Sequence, residues 1–279
     1  MERSDFTEKI KKAKRIVIKI GSARVSGEAF KINQFLFSLI SDIELLREEK
    51  KEIILVTSGA VAQGERILNL HTGKNLDTKT ISDRQALASI GQSHLMNLYE
   101  NAFSKINVPI SQVLFGMNDI QNDSCAENLK NTFEKLFSWS VLPIVNENDS
   151  ASIEELKFGD NDILSSLVSL LVEADLLIIL TGVDGFLIED KIVPFLNTIE
   201  DSELLHAKGP EGPGTGGMNT KLTAAKILIE QNIPTAIING KIKFCLREFF
   251  TQNKIGTLIC NFGDKKKLKI EEIKKIYRL

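Results

Sequence analysis

Short apolar, β-branched runs alternate with segments whose apolar residues return at helical spacing, from Ile16 to Cys260. Ile16–Ile20 (IVIKI), Ile53–Thr57 (IILVT), Ile110–Phe115, Val141–Val145, Asp175–Thr181 (DLLIILT), Thr235–Asn239 and Thr257–Cys260 read as buried strands. Ile32, Phe35, Leu36, Leu39, Ile40, Ile43 and Leu46 recur at i, i+3, i+4, i+7 and predict a helix with one apolar face. Ser82 with Gln85 reads as the capping box of a long helix running toward Ser104. Cys125–Ser138, Ile163–Glu173, Thr220–Gln231 and Ile242–Phe250 are helical in pattern. Gly185–Phe195 reads as a small hairpin or strand pair, and the charged tail DKKKLKIEEIKKIYRL as a terminal helix on the surface.

This alternation predicts an α/β fold, with a largely parallel sheet covered on both faces. In such sheets ligands bind beyond the carboxyl ends of the strands. Gly21–Ser22, Ser58–Gly59, Asn146–Asp149 and Thr181–Gly182 all occupy such ends. The loop around Leu70–Thr80 and the segment Gly209–Gly217 are the expected mobile pieces.

The bulk numbers narrow the class. A length of 279 residues suits one large α/β domain or two small ones. A net charge of −2 with a pI near 6.0 implies no general nucleic-acid partner and no acidic-membrane partner. Cys125, Cys245 and Cys260 are scattered and form no CxxC, so a disulfide framework is not expected and a reducing cytoplasm is. The charged N-terminus MERSDFTEKIKKAKR carries no apolar stretch, so no signal peptide is expected. The longest apolar runs, such as LLIIL at 176–180, are too short to span a bilayer.

Four segments have chemical potential. In KIGS, Lys19 to Ser22, a strand-end lysine precedes a glycine that lets an anion approach the backbone; taken alone, a plain strand-end lysine and turn glycine is the simpler reading. VTSGAV, Val56 to Val61, suits a helix N-terminus that binds an anion, or ordinary capping by Ser58. GPEGPGTGGMNTK, Gly209 to Lys221, leads a glycine-rich loop into a helix with a lysine in its first turn. Backbone N–H groups, the helix dipole and Lys221 there favour a polyphosphate, although the segment is no Walker A loop. The last is IVNENDSASIEELKFGDND, residues 144–162, where a strand opens into six carboxylates. Its spacing is not that of a calcium loop, and turn or capping chemistry is the alternative. Glu154 and Glu155 read as solvated. His71, His94 and His206 form no metal-ligand spacing and no nucleophilic triad.

Together these segments resemble the amino acid kinase family. The likeness rests on KIGS at 19–22, TSGAVAQG at 57–64, IVNENDSA at 144–151, FGDND at 158–162 and GTGGMNTK at 214–221, in the family's order. QALASIGQSHLM at 85–96 is also similar, and the resemblance runs from about Ile16 to Cys260. Within the family it is greatest to members that phosphorylate the side-chain carboxylate of L-glutamate, the first step of proline biosynthesis.

The resemblance implies a three-layer αβα sandwich with a mostly parallel central sheet. It implies one domain over 1–279, with an amino-acid half to about residue 170 and a nucleotide half over about 171–265. Ser58, Gly59, Asp149 and Asn161 would bind glutamate. Lys19 and Lys221 would contact the transferring phosphoryl group, and Asp162 would orient them. Thr181, Gly182, Thr215, Gly216, Gly217, Met218, Asn219, Thr220 and Lys221 would bind nucleotide. ATP would be the co-substrate, with Mg²⁺ held mainly through its phosphates. L-proline would be a feedback inhibitor, a homo-dimer or tetramer the assembly, and glutamyl phosphate reductase a channelling partner.

The chain departs from the family pattern in places. Gly182 stands where Asp is usual, and Ala23 where a hydroxyl residue is common. Many relatives carry a C-terminal PUA domain of RNA-binding type, which is expected to be missing here. Two alternatives remain: a kinase of the same fold for acetylglutamate, aspartate, carbamate or a nucleoside monophosphate, and a non-catalytic amino-acid or nucleotide sensor.

Overall fold

A computed structural model describes residues 2–73, 80–151, 161–207, 217–252 and 254–279. The strands are β1 (Arg15–Ile20), β2 (Glu52–Thr57), β3 (Ile110–Phe115), β4 (Leu142–Glu147) and β5 (Leu176–Thr181) in the first part of the chain. They are followed by β6 (Leu187–Ile188), β7 (Lys191–Ile192), β8 (Phe195–Leu196), β9 (Thr235–Asn239) and β10 (Thr257–Ile259). The helices are α1 (Thr7–Lys11), α2 (Ser22–Val25), α3 (Ala29–Glu48), α4 (Ala60–Thr72), α5 (Ile81–Phe103) and α6 (Met117–Gln121). Then come α7 (Asp123–Ser138), α8 (Asn161–Leu171), α9 (Asp201–His206), α10 (Met218–Ile229), α11 (Cys245–Gln252) and α12 (Ile270–Tyr277).

Eight strands form one sheet in the order β3-β4-β2-β1-β5-β9-β10-β8. The pairings from β3 through β9 are parallel; β10 runs antiparallel to β9 and carries β8 on its outer edge. The apolar strands are buried on both sides, as a parallel sheet requires. Ile16, Ile18 and Ile20 pack with α3, α5 and α11 on one face, whereas Val17 packs with α7 and α8 on the other. The expected αβα layering is present. The chain runs from β1 outward through β2, then returns to place β5 on β1's other side. The order therefore reverses at β1 and β5, and a ligand crevice is expected beyond the carboxyl ends of this pair.

Several local expectations are corrected. The long helix begins at Ile81 and is capped by Thr80 with Asp83, not by Ser82 with Gln85. Thr80 Oγ1 accepts from Asp83 N at 3.1 Å, and Asp83 Oδ2 accepts from Thr80 N at 2.9 Å. Asp can close such a box as Glu or Gln does, so the helix starts two residues earlier. Leu70–Thr72, read as loop, are the last residues of α4; 74–79 lie outside the described residues. The hairpin is β6–β7, while Phe195 pairs with β10. The terminal helix α12 is docked rather than merely superficial. Ile273 is buried, and the Tyr277 hydroxyl lies 2.6 Å from Ser166 Oγ. Among the described residues no helix is long and apolar enough to cross a membrane.

Candidate active site

The period of two along β1 decides where Lys19 points. Lys19 follows Val17 by two residues, so its side chain leaves the sheet on the face covered by α8. It is 4% exposed there, a burial that an ammonium group tolerates only with an anionic partner. Asp162, in the first turn of α8, is the partner and is wholly buried. Its Oδ1 lies 2.7 Å from Lys19 Nζ, and its Oδ2 lies 3.3 Å from Lys221 Nζ. Thr220 Oγ1 donates to the same Oδ2 at 2.9 Å, and Lys221 Nζ also donates to Gly217 O at 3.2 Å. One carboxylate thus gathers a strand lysine and a helix lysine. The first turn of α8 favours its negative charge.

A second polar group lies on the β2–β4 side. Asn161 Nδ2 donates to Thr57 O and, at 2.8 Å, to Asn146 Oδ1. Asn146 Nδ2 donates to Gln92 Oε1 at 2.9 Å, and Asn146 Oδ1 also accepts from Glu147 N at 2.9 Å. The Thr57 and Tyr99 hydroxyls meet at 2.7 Å, and burial pushes the Tyr99 phenol upward. These contacts tie the ends of β2 and β4 to α5 and α8. Gln92 and Tyr99 were not singled out from the sequence, and Asn146 only as the start of a strand end. The available signal was Asn146, an amide ending an otherwise apolar strand.

The other expected site residues fall around these two groups. Ser58 follows β2, and its N–H donates to Ile20 O at 3.1 Å. Gly59 caps α4 with φ +111, and a Cβ on it would lie 2.7 Å from Val25 Cγ2, so this sharp entry requires glycine. Asp149 is half-buried in the turn two residues beyond β4. Thr181 ends β5 and is buried; its carbonyl accepts from Gly240 N at 2.9 Å, and Gly182 follows. Gly217 caps α10, with Met218, Asn219, Thr220 and Lys221 in its first turn. The Met218 side chain enters an apolar cluster with Phe186 and Leu222, leaving its backbone for any ligand. Asn219 is exposed, and its carbonyl accepts from Thr223 Oγ1 at 2.9 Å. Thr215, Gly216 and Asp160 lie outside the described residues. Glu147 is buried at the end of β4.

A buried cationic pair thus lies at the strand-order reversal of an αβα sheet, beside a buried amide network. The model of the amino acid kinase family matches residues 14–239, and the chain belongs to that family. Among its relatives, a protein of Geobacter metallireducens named "Glutamate 5-kinase" is 40% identical over 263 residues, covering 89% of this chain and 68% of the relative. One of the same name from Caldanaerobacter subterraneus subsp. tengcongensis is 40% identical over 253 residues, covering 87% and 67%. In fold the chain is similar to N-acetylglutamate synthase from Neisseria gonorrhoeae complexed with coenzyme A and N-acetyl-glutamate. The TM-score there is 0.65 at 16% identity, over 94% of this chain and 63% of that one. It is also similar to Giardia carbamate kinase, with a TM-score of 0.59 at 16% identity, over 90% and 99% of the two chains.

Proposed function

We propose that the chain catalyses ATP-dependent phosphorylation of the L-glutamate side-chain carboxylate, giving L-glutamyl 5-phosphate and ADP. The observation that carries this reading is the Lys19–Asp162–Lys221 bridge at the carboxyl ends of the central strands. The substrate follows from the name borne by relatives at 40% identity.

The nucleophile needs no general base, because a free glutamate side chain, with pKa about 4.3, is ionised at neutral pH. The difficulty is electrostatic. At 4 Å two like unit charges repel by about 4 kcal/mol at an effective dielectric near 20. The ammonium groups of Lys19 and Lys221 set positive charge against that repulsion. Lys19 and Lys221 stabilise the charge spread over the transferring phosphoryl oxygens, while Asp162 and Thr220 fix the ammonium positions in advance.

Both Asp162 oxygens face cations, and the described residues offer no group of three His, Cys, Asp or Glu able to hold a metal. We read Mg²⁺ as held mainly through the ATP phosphates, since the Asp162 carboxylate is engaged by Lys19 and Lys221. Asn161 and Asp149 would receive the amino-acid end of glutamate, Asp149 pairing with the α-ammonium. An acetylated nitrogen carries no charge to pair with it, which disfavours acetylglutamate.

Glutamate-dependent ADP release tests the proposal, with hydroxamate trapping of the acyl phosphate. Turnover with glutamate should exceed that with acetylglutamate, aspartate or carbamate. Binding of ATP and glutamate without ADP formation would replace the enzyme by a sensor. Adding L-proline to the same assay tests feedback.

A further inference from the structure

Apart from the Lys19–Asp162–Lys221 cluster, two more cations stand at the carboxyl ends of the strands. Arg24 lies in α2, the short turn of helix after β1, and Lys241 is the second residue after β9. Both approach one stretch of backbone. A Cβ on Gly240 would lie 3.5 Å from Arg24 Cδ, and a Cβ on Gly182 would lie 3.9 Å from Lys241 Nζ. Gly240 and Thr181 are themselves joined by a hydrogen bond, so the ends of β5 and β9 hold these side chains in register.

Neither side chain makes an ion pair or hydrogen bond among the described residues. The Asp184 carboxylate accepts from Asn239 Nδ2 at 2.6 Å, and Asn239 Oδ1 accepts from the Lys241 N–H at 2.8 Å, which anchors the lysine's backbone. Arg24 is half-buried, and burial lowers its pKa. An unpaired guanidinium in such a place is costly unless an anion joins it. Glycine at 182 adds no carboxylate to neutralise Lys241, although the space beside it would accept one at ordinary contact distance.

We propose that Arg24 and Lys241 form an anion subsite at the nucleotide end of the crevice, taking a phosphate of the nucleoside triphosphate, and that Gly182 keeps it open. The assignment rests on the kinase reading above and extends it to residues outside the Lys19–Asp162–Lys221 cluster. The β5–β9 ends lie across β1 from the Asn161–Asn146 network, which points the subsite toward nucleotide rather than amino acid.

Calorimetry on the full chain tests it with ATP, adenosine and glutamate as separate titrants. Lys241→Ala and Arg24→Ala should each weaken ATP about ten-fold or more, the size of one charge-assisted hydrogen bond, and leave adenosine and glutamate within about two-fold. Lys241→Arg should restore most of the ATP affinity. Gly182→Asp should weaken ATP by a similar factor, since its carboxylate would claim Lys241. Melting temperatures near the parent's confirm that each variant is folded. Unchanged ATP affinity in both alanine variants of an active parent overturns this assignment alone, as does an equal loss for adenosine. A parent that neither binds ATP nor turns over overturns it together with the kinase reading.

Discussion

Asp162 Oδ1 lies 2.7 Å from Lys19 Nζ, with the aspartate wholly buried and the lysine almost so. Removing the charge from this carboxylate would leave two buried ammonium groups facing a neutral amide. Asp162→Asn should therefore cost about 3–5 kcal/mol of stability as well as activity. Excess ATP should return part of the lost melting temperature, because its phosphates supply the missing anion. Thermal melts with and without ATP would decide, and a variant as stable as the parent in both conditions contradicts the bridge.

Lys221 also holds the Gly217 carbonyl, so it locks the start of α10 while facing Asp162. Lys221→Ala should lower kcat by about 10²-fold, the scale of losing one charge-stabilising donor, with smaller changes in either KM. If turnover stays within a few-fold of the parent, Lys221 is not at the reacting phosphate.

Asp149 stands near the end of β4, away from the lysine cluster in sequence and strand order. Asp149→Ala should raise the glutamate KM strongly and leave ATP affinity nearly unchanged. Steady-state kinetics with each substrate varied in turn would show it; an unaltered glutamate KM removes Asp149 from the pocket.

Asp42 of α3 caps the start of α11: its Oδ2 accepts from Leu246 N at 3.0 Å, and Arg247 Nε lies 3.6 Å from Oδ1. Burial is the larger influence and pushes its carboxyl up to about 6. Because the folded value exceeds the unfolded one, the native state binds the extra proton between about pH 4 and 6. The contribution of Asp42 to stability is full below that window and is lost as pH rises through it. The stability of Asp42→Asn relative to the parent should thus improve between about pH 4 and 6, then level off. Urea denaturation at a series of pH values would reveal a flat difference if Asp42 titrates normally.

Gly91 of α5 crosses α4 at close range: a Cβ there would lie 1.8 Å from Ala60 O and 2.4 Å from Gly64 N. Backbone cannot yield like a side chain, so Gly91→Ala must push the two helices apart, at about 1–3 kcal/mol or more. Ala60 adjoins Gly59, so the glutamate KM should rise as well. The exposed neighbour Ser89→Ala serves as control and should stay within about 0.5 kcal/mol.

Periodicity made most of the sheet visible because its strands are short, apolar and separated by amphipathic helices. Lys19 was legible for a related reason: it interrupts the apolar run that follows Arg15 in β1. Without the family resemblance Asp162 stood out only as part of an acidic run, and composition could not say which carboxylate would be buried. That depended on α8 packing against β1 and α10, a tertiary fact. Nothing in the sequence marks Gly64 and Gly91, whose need for glycine comes from the α4–α5 crossing. Arg24 and Lys241 lie far apart in sequence and meet the same backbone only when β1 and β9 flank β5.

The central place of β1 also governs how the chain can fold. Ile16 pairs with Ile53 on one side and with Leu176, 160 residues later, on the other. Closing that second pairing joins distant parts of the chain in a parallel register, which is intrinsically slow. Until β5 arrives, one edge of β1 offers unpaired N–H and C=O groups to any passing strand, and until α8 arrives Lys19 lacks the aspartate that lets it be buried. A ribosome-bound or truncated chain ending before β5 should therefore be prone to aggregate, and its escape from that state should come with synthesis of α8 and β5.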